Sequence, residues 1–277
     1  MSRNFNPDEL YLLASEMDLP TLLKFCSTSN KVNNLICRSD KIWQDKLLRD
    51  FPDYSRLLGS ATMSLKTIYI KLYQLTKLKE KLNIKEDIYD LYLNDYLFLS
   101  KKNIKEIPNE IGVLTNLEFL FFSENSIIFV SKEIGNLINL KQLYLNFNLI
   151  KEISDTIGNL VNLTDLFLNH NQLEVLPSSL GNLKALKSLS LNSNKLAKLP
   201  VEITILPNLE DLSLQDNPLE QIPVQFVTIK RHKPLHIFFD NKIKLPIELL
   251  NIPNVTISQN AWPYKPGVMQ ITIPSMV

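Results

Sequence analysis

Residue types that carry chemistry are scarce in this 277-residue chain. The chain has six glycines and no P-loop or G-x-G-x-x-G segment, so it offers no phosphate-binding loop. Its two cysteines, Cys26 and Cys37, and its three histidines do not fall at zinc-ligand spacings. We therefore predict that the protein is not an enzyme and holds no metal or cofactor.

An excess of either charge is also missing. Thirty Lys and Arg residues face 29 Asp and Glu residues, so bulk electrostatic capture of nucleic acid or of an anionic membrane is not expected. No apolar run approaches the ~18 residues of a membrane span, and the first residues do not resemble a secretion signal. Two cysteines close together, with none elsewhere, indicate a reducing compartment. We predict a cytoplasmic protein whose cysteines pack as thiols in a core.

A strict 23-residue period fills most of the chain, with copies beginning at positions 94, 117, 140, 163, 186, 209 and 232. In each copy, two apolar residues two positions apart on a strand point to the same side and face the core. Stacked copies of this strand form a parallel sheet. An asparagine follows, and its carboxamide can bond backbone groups that the turn leaves unpaired. We predict this structural role for Asn125, Asn148, Asn171, Asn194 and Asn217.

The pattern LxxLxLxxNxLxxLPxxIGxLxxL resembles a leucine-rich repeat of the intracellular variety, similar to Ras-binding-type repeats. The resemblance implies an α/β fold, a leucine-rich repeat solenoid with a parallel concave β-sheet, and a function in protein–protein interaction. The end copies depart from the pattern, as terminal repeats of a solenoid do. Residues 254–260 predict a shortened eighth strand.

Residues 7–47 predict three or four short helices and resemble an F-box in segments 7–10, 18–23, 30–31 and 42–47. In its family this module docks a substrate receptor onto the Skp adaptor of a cullin-RING ubiquitin ligase. The resemblance assigns six residues to the adaptor interface: Pro7, Leu10, Leu19, Leu22, Leu23 and Val32. The alternative is that these helices only cap the exposed end of the solenoid.

Residues 61–84 predict an amphipathic helix whose apolar stripe packs on the first repeat; a membrane-surface or coiled-coil helix is the alternative. The domain plan is therefore a small all-α F-box-like module (1–56), a helical linker or cap (57–93), a solenoid of seven repeats plus a truncated strand (94–262), and a tail (263–277).

The side chains that flank the strand leucines should form the concave face of the sheet. The residue between the leucines is aromatic in four successive copies, then serine twice, then His236. Neighbouring strands are ~4.8 Å apart, so the rings can stack into a ladder. We predict a target-binding patch, with Phe239 in an adjacent column, made of Tyr96, Phe98, Phe119, Phe121, Tyr144, Phe147, Phe167 and His170.

Later copies place Glu210, Asp211 and Asp216 on the same face, so a spanning ligand would combine an apolar anchor with a polar or basic segment. Two alternatives remain open. The ladder could serve only to stabilise the sheet, or another part of this chain could cover it.

These features predict a substrate receptor of a Skp–cullin–F-box ubiquitin ligase that holds its target on the concave face. The Lys-, Asn- and Ile-rich sequence resembles such proteins from large DNA viruses of amoebae, which implies action in the host cytoplasm. The alternative is a stand-alone leucine-rich scaffold or sequestering inhibitor in a signalling pathway. Neither function involves nucleic acid or membrane.

Overall fold

The chain forms two compact units, Met1–Asn94 and Asp95–Val277. A computed structural model describes residues 6–57, 63–223, 225–228, 234–240 and 255–258. The predicted α/β class is confirmed, with a helical region followed by a parallel β-sheet. The expected tail at 263–277 lies outside the described residues.

The N-terminal unit is entirely helical. Its helices are α1 (Pro7–Glu16), α2 (Leu19–Cys26), α3 (Asn30–Val32), α4 (Asp40–Asp50), α5 (Leu65–Leu82) and α6 (Ile88–Leu93). A π-helical turn (Asn33–Cys37) continues α3, and a 3₁₀ turn (Tyr54–Leu57) follows α4. The first helix begins with a capping box, because Asn6 accepts from the Glu9 amide while Glu9 accepts from the Asn6 amide.

The core of the helical unit surrounds Trp43, which is fully buried on α4. Its indole Nε1 donates to the Cys37 carbonyl at 2.9 Å, and its ring lies 5.8 Å from that of Tyr69 on α5. Lys46 is buried beside them, and its Nζ donates to the carbonyls of Ser15 and Met17 at the end of α1. Burial lowers the pKa of Lys46.

Cys26 and Cys37 form a disulfide that ties α2 to the π-helical turn, with the two Cα atoms 5.9 Å apart. The expectation of two free, packed thiols is therefore wrong. Both side chains are buried, as expected, but the fold brings them within bonding reach across a chain reversal. Disulfides persist in oxidising surroundings, so this bond weighs against the reducing compartment expected from the cysteine count.

Helix α5 carries the predicted amphipathic stripe. Ile68, Leu72, Leu75 and Leu82 of this stripe are buried, and α5 packs against both α4 and α6. Because its apolar side chains are already covered, the stripe is not available for a membrane surface or a coiled-coil partner.

The second unit is built on one eight-stranded parallel sheet. Its strands, in spatial order, are β1 (Tyr96–Phe98), β3 (Phe119–Phe121), β5 (Gln142–Tyr144), β6 (Asp165–Phe167), β7 (Ser188–Ser190), β8 (Asp211–Ser213), β9 (Leu235–Phe238) and β10 (Val255–Ser258). A separate two-stranded sheet pairs β2 (Glu106–Ile107) with β4 (Phe129–Val130). From β1 to β8 each strand pairs with the next at a shift of 23 residues, so equivalent repeat positions lie side by side.

The register changes between β8 and β9. Ser213 pairs with Phe238, and Asp211 pairs with His236, so the shift here is 25 residues. Phe238, not His236, therefore continues the column that begins at Phe98, and Phe239 is buried instead of lying on the concave face. A shift of two residues keeps the side chains of Leu235, His236 and Ile237 on their expected faces, which is why the alternating pattern alone misplaced the pairing.

The five column asparagines lie where the chain leaves each strand. In the third repeat, Asn148 Oδ1 accepts from the Ile127 amide at 3.0 Å, and its Nδ2 donates to the carbonyls of Phe122 and Leu145 at 3.0 Å. Asn125, Asn171, Asn194 and Asn217 make the same three types of bond in their own repeats. These bonds join each repeat to the one before it.

The return segments stack as 3₁₀ helices on the side opposite the sheet. They span Asn109–Val113, Lys132–Asn136, Asp155–Asn159, Ser178–Asn182 and Val201–Ile205, and the short helix α7 (Gln225–Thr228) follows them. Gly135 lies in the second of them and faces the third, so an added Cβ would be 2.5 Å from the Thr156 carbonyl oxygen. The repeated glycine therefore permits close packing of successive turns.

Candidate functional site

Four aromatic rings stack along the concave face of the sheet. The ring centroids of Phe98 and Phe121 are 4.3 Å apart, those of Phe121 and Tyr144 are 4.7 Å apart, and those of Tyr144 and Phe167 are 4.6 Å apart. The planes of neighbouring rings lie within 18° of parallel. We call these four residues the ladder. Its spacing follows the spacing of the strands, because each ring comes from the same position of successive repeats.

A second, shorter stack lies beside the ladder. Phe147 and His170 stack with centroids 4.2 Å apart. Both residues have positive φ angles, 56° and 54°, as do Glu124, Ser193 and Asp216 at the same repeat position. This left-handed backbone follows each strand and turns the chain towards the column asparagine. Burial lowers the pKa of His170, and the Asp216 carboxylate partly opposes that shift.

Exposure differs along the ladder. Phe98 at its first position is 43% exposed, whereas Phe121, covered on both ring faces, is only 5% exposed. Tyr144 and Phe167 are intermediate, and their neighbours Tyr96 and Phe119 add aromatic surface at the first two strands. The structure thus brings the predicted aromatic residues onto one face, with Phe121 serving mainly as a packed interior rung.

The face changes character at β7. Ser190 and Ser213 take the ladder positions on β7 and β8, and their hydroxyls are held by Asn169, Asn192 and Gln215. Carboxylates surround this part of the face. Asp165 accepts hydrogen bonds from Gln142 and Thr164, and Asp211 Oδ1 lies 3.3 Å from His236 Nδ1.

Burial raises the pKa of Asp211, while His236 acts in the opposite direction. The desolvation of this carboxylate outweighs the stabilisation that His236 supplies. A stronger cation beside Asp211 would therefore meet a carboxylate whose desolvation His236 does not fully offset.

The six residues assigned to the adaptor interface lie on α1, α2 and α3. Leu10, Leu19, Leu22 and Val32 are buried, and of the six only Pro7 and Leu23 are exposed. The apolar motif positions form the core of the helical unit, because α1 packs on α4 and the π-helical turn, and α2 packs on the same turn. A fully buried Leu22 cannot contact an adaptor in this conformation.

Other leucines of the helical unit are exposed and were missed from the sequence. Leu12 and Leu13 on α1, Leu35 in the π-helical turn and Leu48 on α4 are all at least 41% exposed. The helical period holds the signal, since Leu10 and Ala14 face inward and place Leu12 and Leu13 outward.

Among the residues that the structure describes, no group of three or more His, Cys, Asp or Glu side chains is placed to hold a metal ion. The same part of the chain contains no helix with the length and hydrophobicity needed to cross a membrane.

Comparisons with known proteins agree with the repeat architecture. The sequence model of the Leucine Rich Repeat family matches residues 162–183. A leucine-rich-repeat protein of Leptospira interrogans is 27% identical, with 65% of this chain and 56% of that chain covered and a TM-score of 0.46. The plant peptide hormone receptor RGFR1, in complex with RGF2, is 34% identical over 55% of this chain and 26% of that chain, with a TM-score of 0.48.

The chain thus spans about half the length of the first of these structures and about a quarter of the second. A search of curated proteins finds no match. The chain folds as a leucine-rich repeat solenoid preceded by a helical region, as the sheet register and the repeated asparagine bonds show.

Proposed function

We propose that this protein is a protein–protein interaction scaffold that holds a target on the concave face of its solenoid. The observation that carries the proposal is the ladder with its exposed end, where Phe98 is 43% exposed beside Tyr96 at 36%. Outward positions of a sheet are normally polar, and exposed aromatic surface is typical of binding sites.

A display library of random peptides, about 12 residues long so that they can span the sheet, tests this proposal with the full chain as bait. We expect enriched peptides whose affinity falls at least about tenfold in the double variant Phe98→Ala with Tyr144→Ala, since aromatic anchors carry ~2 kcal/mol or more each.

Phe129→Ala is the matched control, because this phenylalanine is 63% exposed on β4, outside the main sheet. Failure to enrich any peptide, or equal loss of affinity in the control, would contradict binding at the ladder. The melting temperature of each variant separates lost contacts from lost folding.

We further propose that the helical unit docks this scaffold onto the Skp adaptor of a cullin-RING ubiquitin ligase in the cytoplasm. Support comes from the F-box-like segments and from the exposed leucines of the unit. Among the exposed apolar residues of the unit, we assign Leu13 on α1 and Leu23 on α2 to the adaptor contact.

Calorimetry of the full chain with purified Skp adaptor, in oxidised and reduced samples, tests this step. We expect a dissociation constant of about 1 μM or lower, which corresponds to about −8 kcal/mol. Leu13→Asp with Leu23→Asp should abolish the binding, and Leu48→Asp on α4 should preserve it. Absence of binding in both redox states would contradict the ligase role and leave the ladder untouched.

A second candidate function is a stand-alone scaffold or sequestering inhibitor that never meets a ligase. The Cys26–Cys37 disulfide and the burial of four motif residues favour this candidate. Under it, the concave face still binds its target, but the adaptor titration stays flat.

A further inference from the structure

Most faces of the ladder rings are covered by neighbouring rings of the ladder. Phe121 lies between Phe98 and Tyr144, and Tyr144 lies between Phe121 and Phe167, at centroid distances of 4.3 to 4.7 Å. A ligand lying along the middle of the ladder therefore meets ring edges. A ligand group that needs the negative face of an aromatic ring must bind where a stack ends.

Both stacks end in the same repeat. Phe167 on β6 is the last ring of the ladder, and His170 in the turn after β6 is the last ring of the second stack. In the next repeat, the equivalent positions are Ser190 and Ser193. The outer faces of the two rings thus turn towards small side chains, and we call this boundary between β6 and β7 the aromatic step.

Negative charge surrounds the aromatic step. Asp165 precedes Phe167 by two residues and shares its sheet face, and Asp211 lies two strands further along the same row. Strand spacing puts Asp165 and Asp211 ~10 Å apart along this row, with only Ser188 between them. Asp216 lies close enough to His170 to act on its pKa.

Among the described residues, the basic groups on the same part of the face are His236, which lies 3.3 Å from Asp211, and Lys187, which is exposed at its edge. The three carboxylates, among them the desolvated Asp211, therefore outnumber the basic groups, and the excess is complementary to a basic ligand.

We propose that the aromatic step binds an arginine side chain of an extended peptide segment, with the guanidinium stacked on Phe167 and lying between the carboxylates of Asp165 and Asp211. A guanidinium suits the step because it is planar, remains charged, stacks on aromatic faces and is attracted by both carboxylates. The apolar residues of the same segment lie along the ladder edges. This inference rests on the proposed function, because it names the chemistry of the target.

The test uses peptides enriched on the full chain and measures their affinity by calorimetry. Each enriched peptide is compared with a copy in which arginine is replaced by citrulline, a neutral side chain of the same shape. We expect the arginine peptide to bind at least about tenfold more tightly, since hydrogen bonds between charged groups exceed neutral ones by that order.

Asp165→Asn and Asp211→Asn each remove a charge and keep an oxygen that can accept the existing bonds. Each should weaken the arginine peptide about three- to tenfold and leave the citrulline peptide unchanged. Asp155→Asn, on a 3₁₀ helix opposite the sheet, is the matched control and should change neither affinity. Phe167→Leu should weaken the arginine peptide more than the citrulline peptide.

Two failures are distinguishable. Peptides that require Phe98 and Tyr144 but contain no basic residue, or that bind equally well with citrulline, would overturn the arginine site and keep the binding face. If no peptide is enriched, the proposed function and this inference both fail.

Discussion

The hydrogen bonds of Asn171 give the sharpest test of how one repeat holds the next. Its Oδ1 accepts from the Ile150 amide at 3.0 Å, and its Nδ2 donates to the carbonyls of Leu145 at 2.9 Å and Leu168 at 3.0 Å. The side chain is buried, and all three partners belong to the backbone. Asn171→Ala leaves each of them without this partner.

The size of the effect follows from these three bonds. A buried hydrogen bond contributes about 1 kcal/mol net, so the variant should lose about 3 kcal/mol of unfolding free energy. With a urea m-value of about 3 kcal/mol per molar, the denaturation midpoint should fall by about 1 M. The Ile150 amide should also exchange its hydrogen faster than in the parent protein.

Asn169→Ala is the control, because it removes the same side chain two residues earlier. The Asn169 carboxamide accepts from the Ser190 hydroxyl at 3.3 Å and lies on the partly exposed face. We expect this variant to cost less than about 1 kcal/mol. Equal effects of the two substitutions, or a loss below about 1 kcal/mol for Asn171→Ala, would refute the assignment of the inter-repeat bonds.

Three further predictions concern packing, the disulfide and alkaline pH. Gly135→Ala should lower the melting temperature by several degrees, because the new Cβ meets the Thr156 carbonyl oxygen, and calorimetric scans measure this. Reduction of Cys26–Cys37, which closes a short loop, should cost the helical unit about 3 kcal/mol, and an unchanged urea midpoint after verified reduction would contradict the bond. Burial and its carboxylate acceptor raise the pKa of Tyr69, so its stabilising contribution is present below pH 10 and lost above it; ultraviolet titration should show its tyrosinate forming later than that of free tyrosine.

The sequence predicts the regular part of the fold because each repeat position is set by its neighbours. One period places Leu143 in the core of the sheet, Tyr144 on its concave face and Asn148 at the turn, and the sheet register repeats this arrangement from β1 to β8. The prediction failed at His236 because two extra residues precede β9. Leu235 and Ile237 still point into the core, so the alternation of apolar residues along β9 did not reveal the insertion.

The helical unit could be predicted less completely for a different reason. Motif leucines such as Leu22 both define the family pattern and fill the core, so the pattern does not tell which leucines are exposed. Cysteine spacing has the same weakness, because a separation of 11 residues does not reveal that the chain returns to bring Cys26 and Cys37 together.

The second stack bears on whether the aromatic residues serve binding or only stability. Phe147 and His170 both hold a left-handed backbone, which costs a non-glycine residue of order 1 to 2 kcal/mol. Glu124 and Ser193 hold the same backbone conformation without any ring, so the turn does not require one and the strain is common to these repeats. A stacked aromatic pair returns about 0.5 to 1.5 kcal/mol beyond its buried area, so the contact of Phe147 with His170 adds stability at a position where the backbone cost is already present. Stability therefore accounts for the second stack without a ligand, and the case for recognition rests on the exposed end of the ladder at Phe98.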